Sequence, residues 1–147
     1  MILQLTPNTH PILHEKVKKC SYDLDRTEMS KILHENMVHH EGVGLSANQI
    51  GINERVFIMM LDMETEETIT CFNPRIIKTY DKEVWCEEGC LSFPDESFNV
   101  KRPEKIVVKY EDENKVDHKV KLDGFPARVF LHEFDHMEGI NFTQRKE

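Results

Sequence analysis

The chain has 147 residues, 39% hydrophobic and 31% charged, which suits one folded domain over residues 1–147 with a real core. Its formal net charge of −8 argues against a nucleic-acid binder, which needs a basic face to displace counterions. No run of residues approaches the roughly 18 apolar positions of a membrane span, and the opening MILQLTPNTHP lacks the charged-then-apolar form of a secretory signal.

In chain order, the first helix is expected after Asp25-Arg26-Thr27-Glu28. This is a capping box with Asp at the N-cap, followed by an apolar stripe at Met29, Ile32, Leu33 and Met37 and a stop near Gly42. The glycine-punctuated GVGLSANQIG, residues 42–51, reads as loop or irregular strand. RVFIMML, residues 55–61, is long and apolar enough for a buried strand. TITCF and RIIKTY read as two strands broken at Asn73-Pro74, and Ile106 to Tyr110 pairs with Lys115 to Leu122 as a hairpin. A last helix should start near Pro126 and end at Gly139. The order predicts an α+β domain: short, mostly antiparallel strands packed around a C-terminal metal-binding helix, with N-terminal helices.

That last helix carries the chemistry. In His132-Glu133-Phe134-Asp135-His136 the two histidines lie one turn apart on one face, where both rings can meet a single cation. Glu133 sits about 100° around the helix from His132, close enough to serve a water molecule as general base. The bland alternative is a pair of surface histidines on an amphipathic helix. A third histidine ten residues after His132 is absent, since that position is Phe142, and the sequence stops at Glu147. The remaining ligand is therefore expected upstream, and Cys90 in CEEGCLSFP, read as a tight Gly89-Cys90 turn, is the candidate. Alone, a cysteine there would pass for a small core residue. A closed site of Cys86, Cys90, His132 and His136 is a second reading, though the spacing does not suit a zinc finger and leaves Glu133 without a task. The four cysteines need no disulfide framework, so a reducing compartment is expected.

Three segments in register resemble one family. GVGLSANQ resembles the motif Gly-x-Gly-x-Ala-Ala-x-Gln, EGCLS a second motif and HEFDH a third, together the pattern of the peptide deformylases; the likeness covers about residues 2–142. It implies an enzyme that removes formyl from the N-terminal methionine of new peptides, releasing formate. It implies one divalent ion held by Cys90, His132 and His136, with Fe2+ as the native metal and Zn2+ or Ni2+ able to occupy the site. Glu133 would be general base and then acid, and Gln49 with the backbone N–H of Leu91 would form the oxyanion hole. Val43, Gly44, Cys86, Glu88, Phe125, Arg128 and Val129 are assigned to substrate binding: Phe125 and Val129 as an apolar wall for methionine, Arg128 at the rim, and the GVG backbone as an edge for an extended peptide. Ser92 or Glu88 would orient the site, with Glu88 pairing Arg102.

The resemblance further implies a cytoplasmic monomer acting on formyl-methionyl nascent peptides, with the ribosome as a conceivable partner and neither nucleic acid nor membrane bound. Short-tailed members occur in phage genomes, which would place the enzyme in a host cytoplasm. The sequence departs from the pattern at Ser46, which replaces the first alanine, and at Asn48, which replaces a proline; both suggest a more mobile oxyanion loop. Ser97 stands where arginine is common, and the helix that bacterial members carry after HEFDH is missing from the 147 residues.

Overall fold

The computed structural model describes residues 1–146. Helix α1 spans Arg26–His39 and α2 spans Phe125–Met137, with short 3-10 turns at Pro11–His14, Ala47–Ile50 and Phe142–Gln144. Strands are β1 (Gly44–Ser46), β2 (Val56–Met60), β3 (Thr68–Thr79), β4 (Glu83–Cys90), β5 (Phe93–Pro103), β6 (Lys105–Glu111) and β7 (Asp117–Asp123). They form an antiparallel sheet in the order β1-β2-β3-β6-β7 and a separate antiparallel hairpin, β4-β5. The fold is α+β, as the order of predicted elements implies.

Strand β2 explains how the helices sit. Val56 and Ile58 pack with Met29, Leu33 and Met37 of α1, while Phe57 and Met59 pack with Phe130 and Met137 of α2. The two helices thus cover opposite faces of the sheet, and a strand buried on both faces must be apolar at every position rather than at alternate ones. Phe57 and Phe130 meet edge to face at 5.1 Å between ring centroids. Strand β6 is covered on one face only and alternates: Ile106, Val108 and Tyr110 turn inward, and Lys105, Val107 and Lys109 turn out.

The capping of α1 follows the sequence. The Asp25 carboxylate accepts a hydrogen bond from the Glu28 N–H at 3.0 Å. At the end of α2, the Ile140 N–H reaches the Asp135 carbonyl at 2.8 Å and Gly139 takes φ +74°, the left-handed C-terminal cap.

Two expectations are corrected. The break at Asn73-Pro74 does not end a strand: β3 runs through it, with a register shift between Phe72 and Arg75. Asn73 takes φ 51°, and its side chain accepts from Cys20 N–H at 2.8 Å and donates to Glu111 at 3.3 Å. The bulge is thereby held by side-chain bonds in place of ladder bonds. Strands β4 and β5 were not foreseen. Cys90 is the last residue of β4, and the tight turn is Leu91-Ser92, two residues later than the Gly89-Cys90 turn read from the sequence.

Candidate metal centre

The two sheets meet over α2, and the three proposed ligands converge there. Cys90 comes from the end of β4, and His132 and His136 from consecutive turns of α2. Ligand atoms of the three lie within 4.8 Å of one another, and Cys90 Sγ is 3.4 Å from His136 Nε2. Metal–sulfur and metal–nitrogen bonds of 2.0–2.3 Å around a tetrahedral ion put neighbouring ligands roughly 3.4–3.6 Å apart, so the arrangement fits one small divalent cation. Cys86 is exposed and does not join the cluster among the described residues, which removes the closed four-ligand site.

A buried ionic network holds the histidines. Glu88 takes His132 Nδ1 at 3.0 Å, Arg102 Nε at 2.7 Å and Arg102 Nη2 at 3.0 Å, and also pairs with Arg128. Arg102 bridges onward to Asp135 at 2.8 Å, and Arg145 grips the same carboxylate with two bonds of 2.9 Å. Burial alone would raise the Glu88 carboxyl, but its bonds to His132 and Arg102 win and hold it at about 2. Burial alone would lower His132, but its bonds to Cys90 and Glu88, with the charge of Glu133 nearby, lift it to about 10. Negative groups on both sides of that ring favour positive charge, and a divalent cation answers the same field. His136 moves the other way, driven far down by burial and by repulsion from His132 and Arg102. A neutral imidazole is the form that ligates metal.

Glu133 stands beside this cluster. It is 4% exposed, its Oε1 has no hydrogen-bond partner, and burial raises its carboxyl to about 7. Gly44 makes room for it: a Cβ built at position 44 would lie 2.7 Å from Glu133 Oε2. Gln49 points its Nε2 at Ser92 Oγ (3.0 Å) and toward Cys90 Sγ (3.6 Å), so it faces the ligand cluster.

A cleft of about 510 Å³ opens over these groups. Val43, Gly44, Cys86, Leu91, Phe125 and Val129 line it. Glu88 and Arg128 also border it, yet their charged ends are turned to one another, and Arg128 further donates to the carbonyls of Val84 and Val100. The charged ends of both groups thus already have protein partners. Ser97 gives its hydroxyl to Glu87 at 2.9 Å.

Ser46 and Asn48 are bonded into the Gln49 loop through their side chains. All three side chains are buried, and Ser46 N–H and Oγ both lie 3.0 Å from Gln49 Oε1. Asp135 and Arg145 were missed by sequence reasoning. A carboxylate one position before a buried histidine on the inward face of a helix needs cationic partners, and that requirement was the available signal.

The whole chain matches known proteins. The family profile described as Polypeptide deformylase covers residues 2–147. A peptide deformylase of Natranaerobius thermophilus is 36% identical over 148 residues, spanning 99% of this chain and 93% of that protein. The crystal structure of peptide deformylase from Thermotoga maritima superposes with a TM-score of 0.93 at 31% identity, covering 100% of this chain and 99% of that one. A Met-ala-ser bound class I type b peptide deformylase from Acinetobacter baumannii gives 0.91 at 29% identity, covering 99% and 98%. With its triad of thiol and imidazoles on this fold, the chain belongs to the peptide deformylase family, metal-dependent enzymes that remove the formyl group from newly made peptides.

Proposed function

We propose that residues 1–147 act as one catalytic domain that hydrolyses the formyl amide at the N-terminal methionine of nascent peptides, in the cytoplasm and as a monomer. Fe2+ is the ion we assign to Cys90, His132 and His136, a mixed thiolate and imidazole set that Zn2+ or Ni2+ also suits. The observation that carries the reading is Glu133: a buried carboxyl with a free oxygen, set beside the three ligand atoms at the floor of an open cleft.

When bound, the cation polarises the formyl carbonyl and makes a water molecule acidic enough to be used near neutral pH. The chain's own groups do the rest. Glu133, held near 7, accepts the proton of the attacking water and returns it to the departing amine, so formate and a free N-terminus leave. Gln49 Nε2 and the Leu91 N–H supply hydrogen bonds to the oxygen that gains negative charge, a contribution of about 3 kcal/mol for such a donor. Phe125 and Val129 offer the methionine side chain an apolar wall. Strand β1 lies at the edge of its sheet, so Val43 and Gly44 leave backbone groups for an extended peptide. The Acinetobacter baumannii relative was crystallised with Met-ala-ser, the sequence of a deformylated product, which supports this substrate class. No described helix is long and apolar enough to cross a membrane.

The test is formate release from formyl-Met-Ala-Ser by enzyme purified without oxygen, together with metal analysis. Turnover should vanish in Glu133→Ala while the metal stays. A Glu133→Ala protein that keeps its turnover, or a wild-type protein that cuts internal bonds of an unformylated peptide instead, overturns the assignment.

A further inference from the structure

We propose that Ser46 and Asn48 are positioning residues that lock the Gln49 side-chain amide with its NH2 group toward the metal ligands and tie that donor to the backbone of α2. The inference rests on the assignment of Gln49 as an oxyanion donor. An amide can be turned either way, and only one orientation presents hydrogens to a developing negative charge. What fixes the choice here is a directed chain of hydrogen bonds.

The chain starts at the His136 carbonyl, which can only accept. Asn48 Nδ2 donates to it at 2.8 Å, so Asn48 Oδ1 must face the other way. There it takes the Ser46 hydroxyl at 2.7 Å. The one hydroxyl hydrogen is shared with Gln49 Oε1 at 3.0 Å as a three-centre bond, and the Ser46 N–H, which can only donate, also lies 3.0 Å from that oxygen. Turning the Gln49 amide over would set its NH2 against that N–H. Gln49 Oε1 is therefore held on the Ser46 side, and Nε2 is left for Ser92 Oγ and the space by Cys90. Ser46 and Asn48 are fully buried and Gln49 is 1% exposed, so water does not compete for these bonds. The motif this stretch resembles has alanine at the Ser46 position, which could not donate the side-chain bonds seen here, and leaves the Asn48 position open. Ser46 and Asn48 act as a pair: the hydroxyl needs an acceptor, and the amide of Asn48 provides it while anchoring to α2.

The test is a double-mutant cycle on the metal-loaded enzyme with formyl-Met-Ala-Ser as substrate. Ser46→Ala and Asn48→Ala should each lower kcat roughly three- to tenfold, the scale of one neutral hydrogen bond, with KM within about twofold. In the Gln49→Ala background neither should lower kcat further. Equal losses in both backgrounds, or an unchanged kcat in both single variants, overturn the proposal. A second readout needs no turnover: the Gln49 side-chain NH2 resonances should report an order parameter close to the 0.85 of rigid backbone and fall below about 0.6 in Ser46→Ala. An equally rigid amide in that variant also overturns it. If the wild-type protein released no formate, the functional reading would fall, and the resonance measurement would still decide whether the lock exists.

Discussion

The Glu88 carboxylate lies 3.0 Å from Nδ1 of His132, and this contact assigns the two ring nitrogens their separate tasks. With Nδ1 engaged, Nε2 is the atom presented to the cluster with Cys90. Partners of this kind fix the tautomer and orientation of a ligand and raise its basicity. Glu88→Gln keeps the shape and removes the charge, and it should weaken metal binding by about 10- to 100-fold, read by competition with a chelator. Glu88→Ala should also unfold more easily, by about 2–3 kcal/mol in urea, because it removes charged hydrogen bonds and leaves the buried Arg102 with Asp135 as its carboxylate partner and Arg128 with the Val84 and Val100 carbonyls. Unchanged affinity in both variants would show that the network does not tune the ligand.

Gly44→Ala places a methyl group 2.7 Å from Glu133 Oε2, inside any allowed contact. The carboxylate must shift, and a misplacement of that order can cost about 100-fold in rate. The expected result is a fall of that size in kcat with metal content and melting temperature nearly unchanged, measured by steady-state kinetics and thermal unfolding. A variant as fast as wild type would mean that Glu133 has room to move without losing its function.

Arg26 and Glu111 give a pH prediction far from the metal. Their ion pair is 2.8 Å long, Arg26 is buried, and its guanidinium also covers the Phe72 ring at 5.0 Å. Burial would raise the Glu111 carboxyl, but the bonds to Arg26 and Asn73 prevail and lower it from 4.5. A carboxyl lowered in the folded state stabilises the protein fully above its unfolded value, and that stabilisation is lost as pH falls through the folded value. The stability gap between wild type and Arg26→Met should therefore be about 2 kcal/mol at pH 7 and pH 5. It should shrink progressively below 4.5, as read by urea unfolding at each pH. Any metal loss in acid affects both proteins and cancels in the difference.

Gly139→Ala tests the joint between α2 and the N-terminal segment. Gly139 has φ +74°, and a Cβ there would meet backbone atoms of His14 and Glu15 at 2.7–2.8 Å. The left-handed conformation alone costs an alanine about 1 kcal/mol, and the backbone clash adds to it. A loss of more than 2 kcal/mol in urea unfolding is expected; a loss below 1 kcal/mol would show that the segment yields easily.

Much of this molecule is legible in its sequence where burial has one clear period. Asp25, the stripe of Met29, Leu33 and Met37, and the pair His132 and His136 announce two helices because each needs one buried face. The β4-β5 hairpin is silent because most of its side chains stay exposed. Trp85 is half exposed and lies near Lys101, and the hairpin is held by its ladder more than by burial, so no apolar alternation marks it. Asn73-Pro74 misleads because a bulge can absorb residues that usually end a strand. In the site, the pairing of Glu88 with Arg102 could be anticipated from charge. The partners of Asp135 could not, since Arg102 and Arg145 reach it only after β5 and the last turn have packed against α2. Ser46 and Asn48 read as two separate departures until folding shows one hydroxyl joining them.

The β4-β5 ladder pairs Gly89 with Ser97 and then Cys90 with Phe93, so Pro94, Asp95 and Glu96 stand outside the register. Those three residues border the cleft, with exposed side chains and with Asp95 at φ 66°. Insertions or deletions there need not slide the strands or move the sulfur ligand. The outer wall over the peptide can therefore diversify in length and charge while the chemistry beneath it is inherited intact.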